Sequence, residues 1–524
     1  MAVWGRIWMF ASSLSMDRHQ ERHKKGGLMR PTLVFCIFAL SLTYIKMKRL
    51  FLITLLFTVI CGCFAQTEKI TVERIWDDFS FYPRGVAGYT AMPSSDYYTV
   101  VKRGGIERYA FETGDRIDML LSNSNLERLS DGTLNMGRLS GYSFSKDEKN
   151  IILAFDEESI WRRSSLAFYY VFNIEKQTLK MVADTNTKLH FADLSEDGQK
   201  VLFARDCDLF IQDLNTGAIT QITHDGQPNA ILNGYADWVY EEELDMSQAA
   251  SWSPDGSKVA FLRFDERRVK EFTMPIYDEL YPTDFTYKYP KAGEDNSLVD
   301  VYIYDVLNKS LTRVNLGDNT NCYFPRVYWQ PNSRDAIILK LNRHQNRLDF
   351  IRYNTVTKQQ DVVYTDENDK WLDVTDDYYF LSDGKTMIVT SERDGFNHIY
   401  KVTLGGGRVQ LTSGNWEVNG IKFVNEKKKL IYYQSNESGV LNRDLYVINF
   451  DGKKKKMLSS GDGWNESSFC PTGNYYRNQY SNLNTLPIYT IRNASGKELR
   501  VLNDNHVVKE TMDQYGFQPR LFLE

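Results

Sequence analysis

The sequence predicts an all-β protein, a β-propeller of four-stranded blades. Three observations point there. A turn-and-strand pattern recurs from about residue 140 onward, and a second hairpin with a glycine in its turn usually follows each copy. The composition, with 32 Tyr, 29 Phe and 10 Trp but only 13 Pro in 524 residues, favours strands and argues against disorder.

The chain opens with a leader, residues 1–65. Met47-Lys48-Arg49 precedes the apolar run LFLITLLFTVI and the small-residue stretch CGCFAQ. A basic start, a short apolar segment and small residues form a secretory signal. The expected true start is Met47, with a signal peptide over 47–65 and cleavage after Ala65. Ile60-Cys61-Gly62-Cys63 also resembles a lipoprotein signal, which would tether the chain through Cys63. The protein is therefore expected to be exported, either to the periplasm or to the cell surface. An upstream run, residues 31–45, is short for a membrane span; a membrane anchor is the alternative to reading residues 1–46 as lying before the true start.

The net charge is −5, but the leader holds nine Lys/Arg and two Asp/Glu. The remainder carries 54 basic against 66 acidic residues, a balance of −12. An acidic body disfavours nucleic acid as a partner. Outside the leader, Cys207, Cys322 and Cys470 are far apart and read as buried thiols, without a disulfide framework or a zinc motif. His190, His224, His344, His398 and His506 are scattered and form no metal-spaced pair. No metal and no cofactor is expected.

After an N-terminal segment, 66–90, the propeller is expected over 91–505. The clearest repeat copies are SFSKDEKNIILAF (143–155), DLSEDGQKVLFAR (193–205) and SWSPDGSKVAFLRF (251–264). Weaker copies begin at residues 328, 380, 423 and 468. In each, Ser, Asp and Gly or their substitutes form a tight turn, and an alternating apolar strand follows. The second hairpins include DLFIQDLNTGAITQIT (208–223) and HIYKVTLGGGRVQLT (398–412). Four strands every 45–60 residues or so give seven or eight blades. The longest spacing falls between residues 253 and 331. It holds an insertion, 271–297, rich in Tyr and Pro and expected to protrude as an arm.

Residues 237–245, DWVYEEELD, concentrate five acids beside Trp238 and Tyr240. Two explanations compete. Acidic residues gather at helix N-terminal turns because the helix dipole favours them there. Alternatively the charge awaits a cation. An α-ammonium, with an unperturbed pKa of about 7.7–8.0, offers three donors that two carboxylates can accept. A guanidinium nearby would offset the repulsion between the acids and still donate to a carbonyl.

Taken together, DWVYEEE, the segment IWRRSSLAFYYVFNI (160–174), YPKAGEDNS (289–297) and WSPDGSKVAFLRFDE (252–266) resemble the propeller portion of the dipeptidyl peptidase IV family, prolyl oligopeptidase-type serine peptidases. The resemblance runs in order over roughly 68–522. It implies an eight-bladed propeller joined in the full enzyme to a C-terminal α/β-hydrolase domain that removes dipeptides after Pro or Ala. It implies that Glu242 and Glu243 hold a substrate's α-ammonium and that Arg162 contacts the substrate carbonyl. Arg163 departs from the family, which often has His there. It also implies peptide N-termini as partners and a homodimer in the full enzyme.

No G-x-S-x-G elbow and no βαβ alternation occur in the sequence. Residues 506–524 read as the start of a linker toward an absent hydrolase domain. The chain is expected to be inactive as a peptidase by itself. A stand-alone secreted propeller that binds peptides without cleaving them is the alternative.

Overall fold

Eight blades follow one another along the chain, seven of them built from strands consecutive in sequence and one interrupted by a separate hairpin. They are seen in a computed structural model that describes residues 69–521, apart from 87–88, 184–185 and 460–461. The leader, with its expected Met47 start and Cys63, lies outside the described residues. The blades span 89–122, 139–181, 191–221, 231–313, 322–367, 378–410, 418–457 and 464–503, and are numbered 1 to 8 in that order. The expected β-propeller of eight four-stranded blades is what the structure has.

The repeated turn has a common chemistry. In blade 4, Ser253 Oγ donates to Asp255 Oδ1 at 2.7 Å and accepts from the Lys258 amide at 2.9 Å. Ser145, Asp147 and Asn150 do the same in blade 2, and Ser195, Asp197 and Lys200 in blade 3. In blade 8 Cys470 takes the serine's position: its Sγ lies 3.1 Å from Thr472 Oγ1 and accepts from the Tyr475 amide at 3.3 Å. Gly256 closes its turn at φ +68°, in the left-handed region a side chain would strain.

In most blades the strand that follows the turn differs from the expected alternation, although Tyr475–Ser481 of blade 8 keeps it, with Tyr476 and Asn478 buried between partly exposed neighbours. Val259–Leu262, Val201–Ala204 and Ala336–Leu339 are buried as unbroken runs. Their blades are each sandwiched between two others, so these strands have no solvent face. Continuous apolar runs are the sequence form of strands covered on both sides. Burying one such Leu or Phe is worth about 1.5–3 kcal/mol.

The second hairpins carry a tether between blades. Asp208, buried at the start of the third strand of blade 3, accepts from Thr223 Oγ1 at 2.6 Å, the Gly226 amide at 3.0 Å and Asn233 Nδ2 at 3.2 Å. Asn233 belongs to the first strand of blade 4. Asp444 of blade 7 repeats the arrangement with Ser459 at 2.6 Å and Asn465 of blade 8 at 3.2 Å. In blade 6 His398 stands in this position. Its Nδ1 lies 3.1 Å from Thr412 Oγ1 and its Nε2 lies 3.0 Å from the Gly414 carbonyl, so Nε2 carries the hydrogen.

The ring closes through side chains rather than a shared strand. Phe111 of blade 1 stacks on Tyr475 of blade 8 with centroids 5.9 Å apart. Arg500 donates to Tyr98 Oη and the Phe111 carbonyl. Asp96 accepts from Thr472 and Asn474. Before blade 1, Phe81 packs on Tyr515 and Phe517, and the Arg84 amide donates to Asn505 at 2.8 Å. Ile70, Val72, Ile75 and Trp76 are all exposed on the short helix Val72–Trp76 and its approach.

Blade 4 alone is interrupted twice. Its inner-edge pairing is split between Ile231–Asn233 and Ala250–Trp252, both paired with Lys258–Asp265, and the helix Trp238–Leu244 fills the gap. Between its next two strands a separate hairpin, Glu271–Ile276 with Thr283–Lys288, forms the arm. The arm exposes Tyr277, Leu280 and Tyr281 at its tip.

Replacing Asp208 by Ala leaves the Thr223 hydroxyl and the Gly226 amide without this acceptor and removes one of three acceptors of Asn233 Nδ2. The expected cost is at least about 2 kcal/mol of folding stability, measured by urea unfolding.

Candidate functional site

The acidic stretch forms the helix Trp238–Leu244, and the structure divides its carboxylates by burial. Asp237 is the N-cap: Oδ1 accepts from the Tyr240 amide at 2.9 Å. Its Oδ2 accepts from Ser297 Oγ at 2.6 Å. Burial raises the Asp237 pKa, offset in part by the Ser297 hydroxyl and the Tyr240 and Val239 amides. The helix ends at Asp245, which adopts the left-handed conformation at φ 55°.

Tyr240 anchors the helix from below. Its ring is fully buried edge-on to Phe264, and its Oη accepts from the Phe324 amide of blade 5 at 2.8 Å. Val239 and Leu244 are buried beside it.

Glu241 is buried and reaches across to blade 2. One carboxylate oxygen, Oε1, accepts from the Arg163 amide at 2.7 Å and the Ser164 amide at 2.9 Å. The Arg163 guanidinium donates to the Glu241 carbonyl at 3.1 Å and pairs with Asp245. These bonds hold the tip of the hairpin between Asn150–Ser159 and Ser165–Asn173 against the helix.

Arg162 sits on that tip. Its Nε lies 3.1 Å from Glu242 Oε2; the arginine side chain is 71% exposed and the glutamate 18%. Glu243 is exposed and has no hydrogen bond or ion pair among the described residues. The structure thus brings Arg162 and Glu242 together and leaves Glu243 beside them facing solvent. A largely exposed ion pair contributes only about 0–1 kcal/mol, so stability does not account for it. Most of the Arg162 donors are without a protein partner among the described residues.

Sequence reasoning missed Glu241 as the residue that orders the site. It is adjacent to the two predicted glutamates and indistinguishable from them by type; only the blade 2 contact separates it. The dipole explanation also holds a share, since Asp237 and Glu241 occupy the cap and first turn.

A cavity of about 420 Å³ lies on the blade 2, 3 and 4 side of the same helix, bounded by Trp161, Trp238 and the arm residues Phe285 and Tyr287. Arg162, Glu242 and Glu243 do not line it. Its carboxylates include Asp237 and Glu266. Burial first, and the Asp237 charge second, push Glu266 up to about 8, against the countering pull of Lys288. Among the described residues no group of three or more His, Cys, Asp or Glu is arranged to hold a metal ion.

Fold and helix together define a class: an eight-bladed propeller whose fourth blade opens its first strand to present an acidic helix. A family model described as the dipeptidyl peptidase IV (DPP IV) N-terminal region matches residues 145–487. Dipeptidyl peptidase 4 of Trichophyton tonsurans is 30% identical over 403 residues, covering 73% of this chain and 52% of the relative. The probable dipeptidyl-aminopeptidase B of Sclerotinia sclerotiorum is 29% identical over 371 residues, 64% of this chain and 40% of that protein. The crystal structure of Porphyromonas gingivalis dipeptidyl peptidase 4 superposes with a TM-score of 0.82 at 33% identity, covering 87% of this chain and 65% of that one. The chain belongs to the dipeptidyl peptidase IV family. It spans about half the length of the curated relatives it matches.

Glu241→Ala removes the acceptor of two backbone amides and is expected to cost about 2–3 kcal/mol, whereas Glu242→Ala should change stability by less than ~1 kcal/mol; urea unfolding separates them. Glu266 predicts a pH effect. Its folded pKa is raised from 4.5 to about 8, so the native state keeps a proton the unfolded chain releases, and stability falls as pH rises from about 4.5 to about 8. Glu266→Gln should flatten that part of the stability–pH curve.

Proposed function

We propose that this chain is the propeller portion of a dipeptidyl peptidase IV-like serine exopeptidase and that it anchors the free N-terminus of peptide substrates. In the full enzyme, a hydrolase domain would release dipeptides after Pro or Ala. Glu242 and Glu243 receive the α-ammonium, and Arg162 donates to the carbonyl of the bound residue. The observation that carries this reading is the half-buried Glu242 held 3.1 Å from a largely exposed Arg162, with Glu243 open beside it.

The chemistry is that of a chain-end reader. Three ammonium donors meet two carboxylates as charge-assisted hydrogen bonds, each about twice as strong as a neutral one. An internal peptide segment or an acetylated terminus brings no cation, so it leaves the acids unpaired. Arg162 holds Glu242 in place before the ligand arrives, and its remaining donors are free for a carbonyl. Export of the chain, through the leader, would put this site where peptides are taken up or trimmed.

Binding of a free-N-terminal Xaa-Pro peptide and its N-acetyl counterpart, compared by calorimetry, tests the proposal. The free peptide should bind at least about tenfold more tightly, and Glu242→Gln, Glu243→Gln and Arg162→Ala should each weaken it by about 10–100-fold. Affinity should also fall as pH rises through about 8, where the α-amino group loses its proton. Equal binding of free and acetylated peptides would overturn the proposal.

A further inference from the structure

The cavity beside the helix is a built site that the N-terminus reading does not use. Its walls come from three places: Trp161 from the blade 2 tip, Tyr235 and Trp238 from the excursion in blade 4, and Phe285 and Tyr287 from the arm. Trp161 packs on Tyr287 with centroids 4.7 Å apart and on Phe285 at 5.5 Å. At about 420 Å³ it falls within the ~300–1,000 Å³ of small-molecule pockets.

The polar groups lining it are mostly engaged. Lys288 Nζ donates to the Val269 carbonyl at 2.9 Å and lies 3.4 Å from Glu271. Lys188 Nζ pairs with Glu158 at 2.6 Å. Asp237 is bonded through both oxygens, and Tyr235 Oη donates to Cys207 Sγ at 3.1 Å. The His190 ring stacks on Tyr235 without a side-chain hydrogen bond among the described residues, and of the lining carboxylates Glu266 alone is left without a close partner there. It is 5% exposed, lines the cavity, and its carboxyl group makes no hydrogen bond or close ion pair among the described residues. Ser164 Oγ, in another lining residue, is also buried without a hydrogen-bond partner.

An unpartnered buried acid is costly unless something brings it a donor. The lysines are committed elsewhere and the carboxyl keeps its own proton below about pH 8, so a cation bound there takes the place of that proton and releases it. Aromatic faces beside an acid favour an organic cation, through the ring quadrupoles and a charge-assisted hydrogen bond. We propose that this cavity is a second binding site, for a small arylalkylammonium ion, with its aromatic body against Trp161, Trp238 and Tyr287 and its ammonium on Glu266. The site is independent of Glu242, Glu243 and Arg162.

Isothermal titration calorimetry of the full chain with 2-phenylethylammonium chloride, and with the neutral 2-phenylethanol as control, tests this. The cation should bind, and the alcohol should bind at least about tenfold more weakly. Glu266→Gln should weaken the cation by about tenfold or more, whereas Glu242→Gln should leave it unchanged. Phe285→Ala alters an exposed arm residue without touching the propeller core and should also weaken binding, which keeps the test valid if Glu266→Gln fails to fold. No detectable binding of the cation would overturn the proposal. So would equal affinity for the alcohol. Loss in Glu242→Gln with none in Glu266→Gln or Phe285→Ala would also overturn it and assign the amine to the N-terminus site instead.

Discussion

The contact on which the site depends is the buried Glu241 carboxylate accepting two backbone amides from the tip of blade 2. It joins elements 77 and 78 residues apart in sequence. Without it, a seven-residue helix in one blade and a hairpin tip in another would have no fixed relation. With it, Arg162 is delivered to Glu242 by backbone geometry rather than by a chance meeting of two long side chains. A buried carboxylate whose Oε1 already accepts two backbone amides serves to fix the structure.

The helix therefore sorts chemically similar side chains by solvation. Asp237 and Glu241 are sealed and satisfied by hydrogen bonds, as buried charges must be. Glu242 is half-covered and shares a guanidinium; Glu243 is open. The sorting is possible because blade 4 gives up the middle of its first strand. Asn233 and Ala250 both still pair with Lys258–Asp265, so the sheet holds while the chain between them leaves it. Tyr240, bonded to blade 5, and Asp237, bonded to Ser297, then fasten the excursion on two sides.

The same excursion gives the helix a second environment. One side presents Glu242 and Glu243; another meets the arm through Trp238 and Tyr289, whose rings lie 4.1 Å apart. The arm supplies an aromatic wall to a cavity whose floor contains an acid that the protein itself does not satisfy. Because Trp161 and Arg162 are neighbours on one tip, the two environments share a support while using different side chains.

The sequence by itself determined the all-β class and the repeated blades, while the meeting of the acidic stretch with an arginine-bearing segment was implied only by the family resemblance. The class and the blades were legible because turn chemistry and strand runs are local, and the repeat multiplies a weak local signal. The first blade was the least legible, since its turn, Ser94-Ser95-Asp96, lacks the fuller pattern of the later copies. Alternation was expected in strands that are buried on both faces, because burial by neighbouring blades is not a property of any one strand. Only the tertiary structure decided which of three consecutive glutamates is structural, which is paired and which is free. That choice depends on which groups from blades 2 and 5 reach the helix, and distance in space, not residue type, sets it.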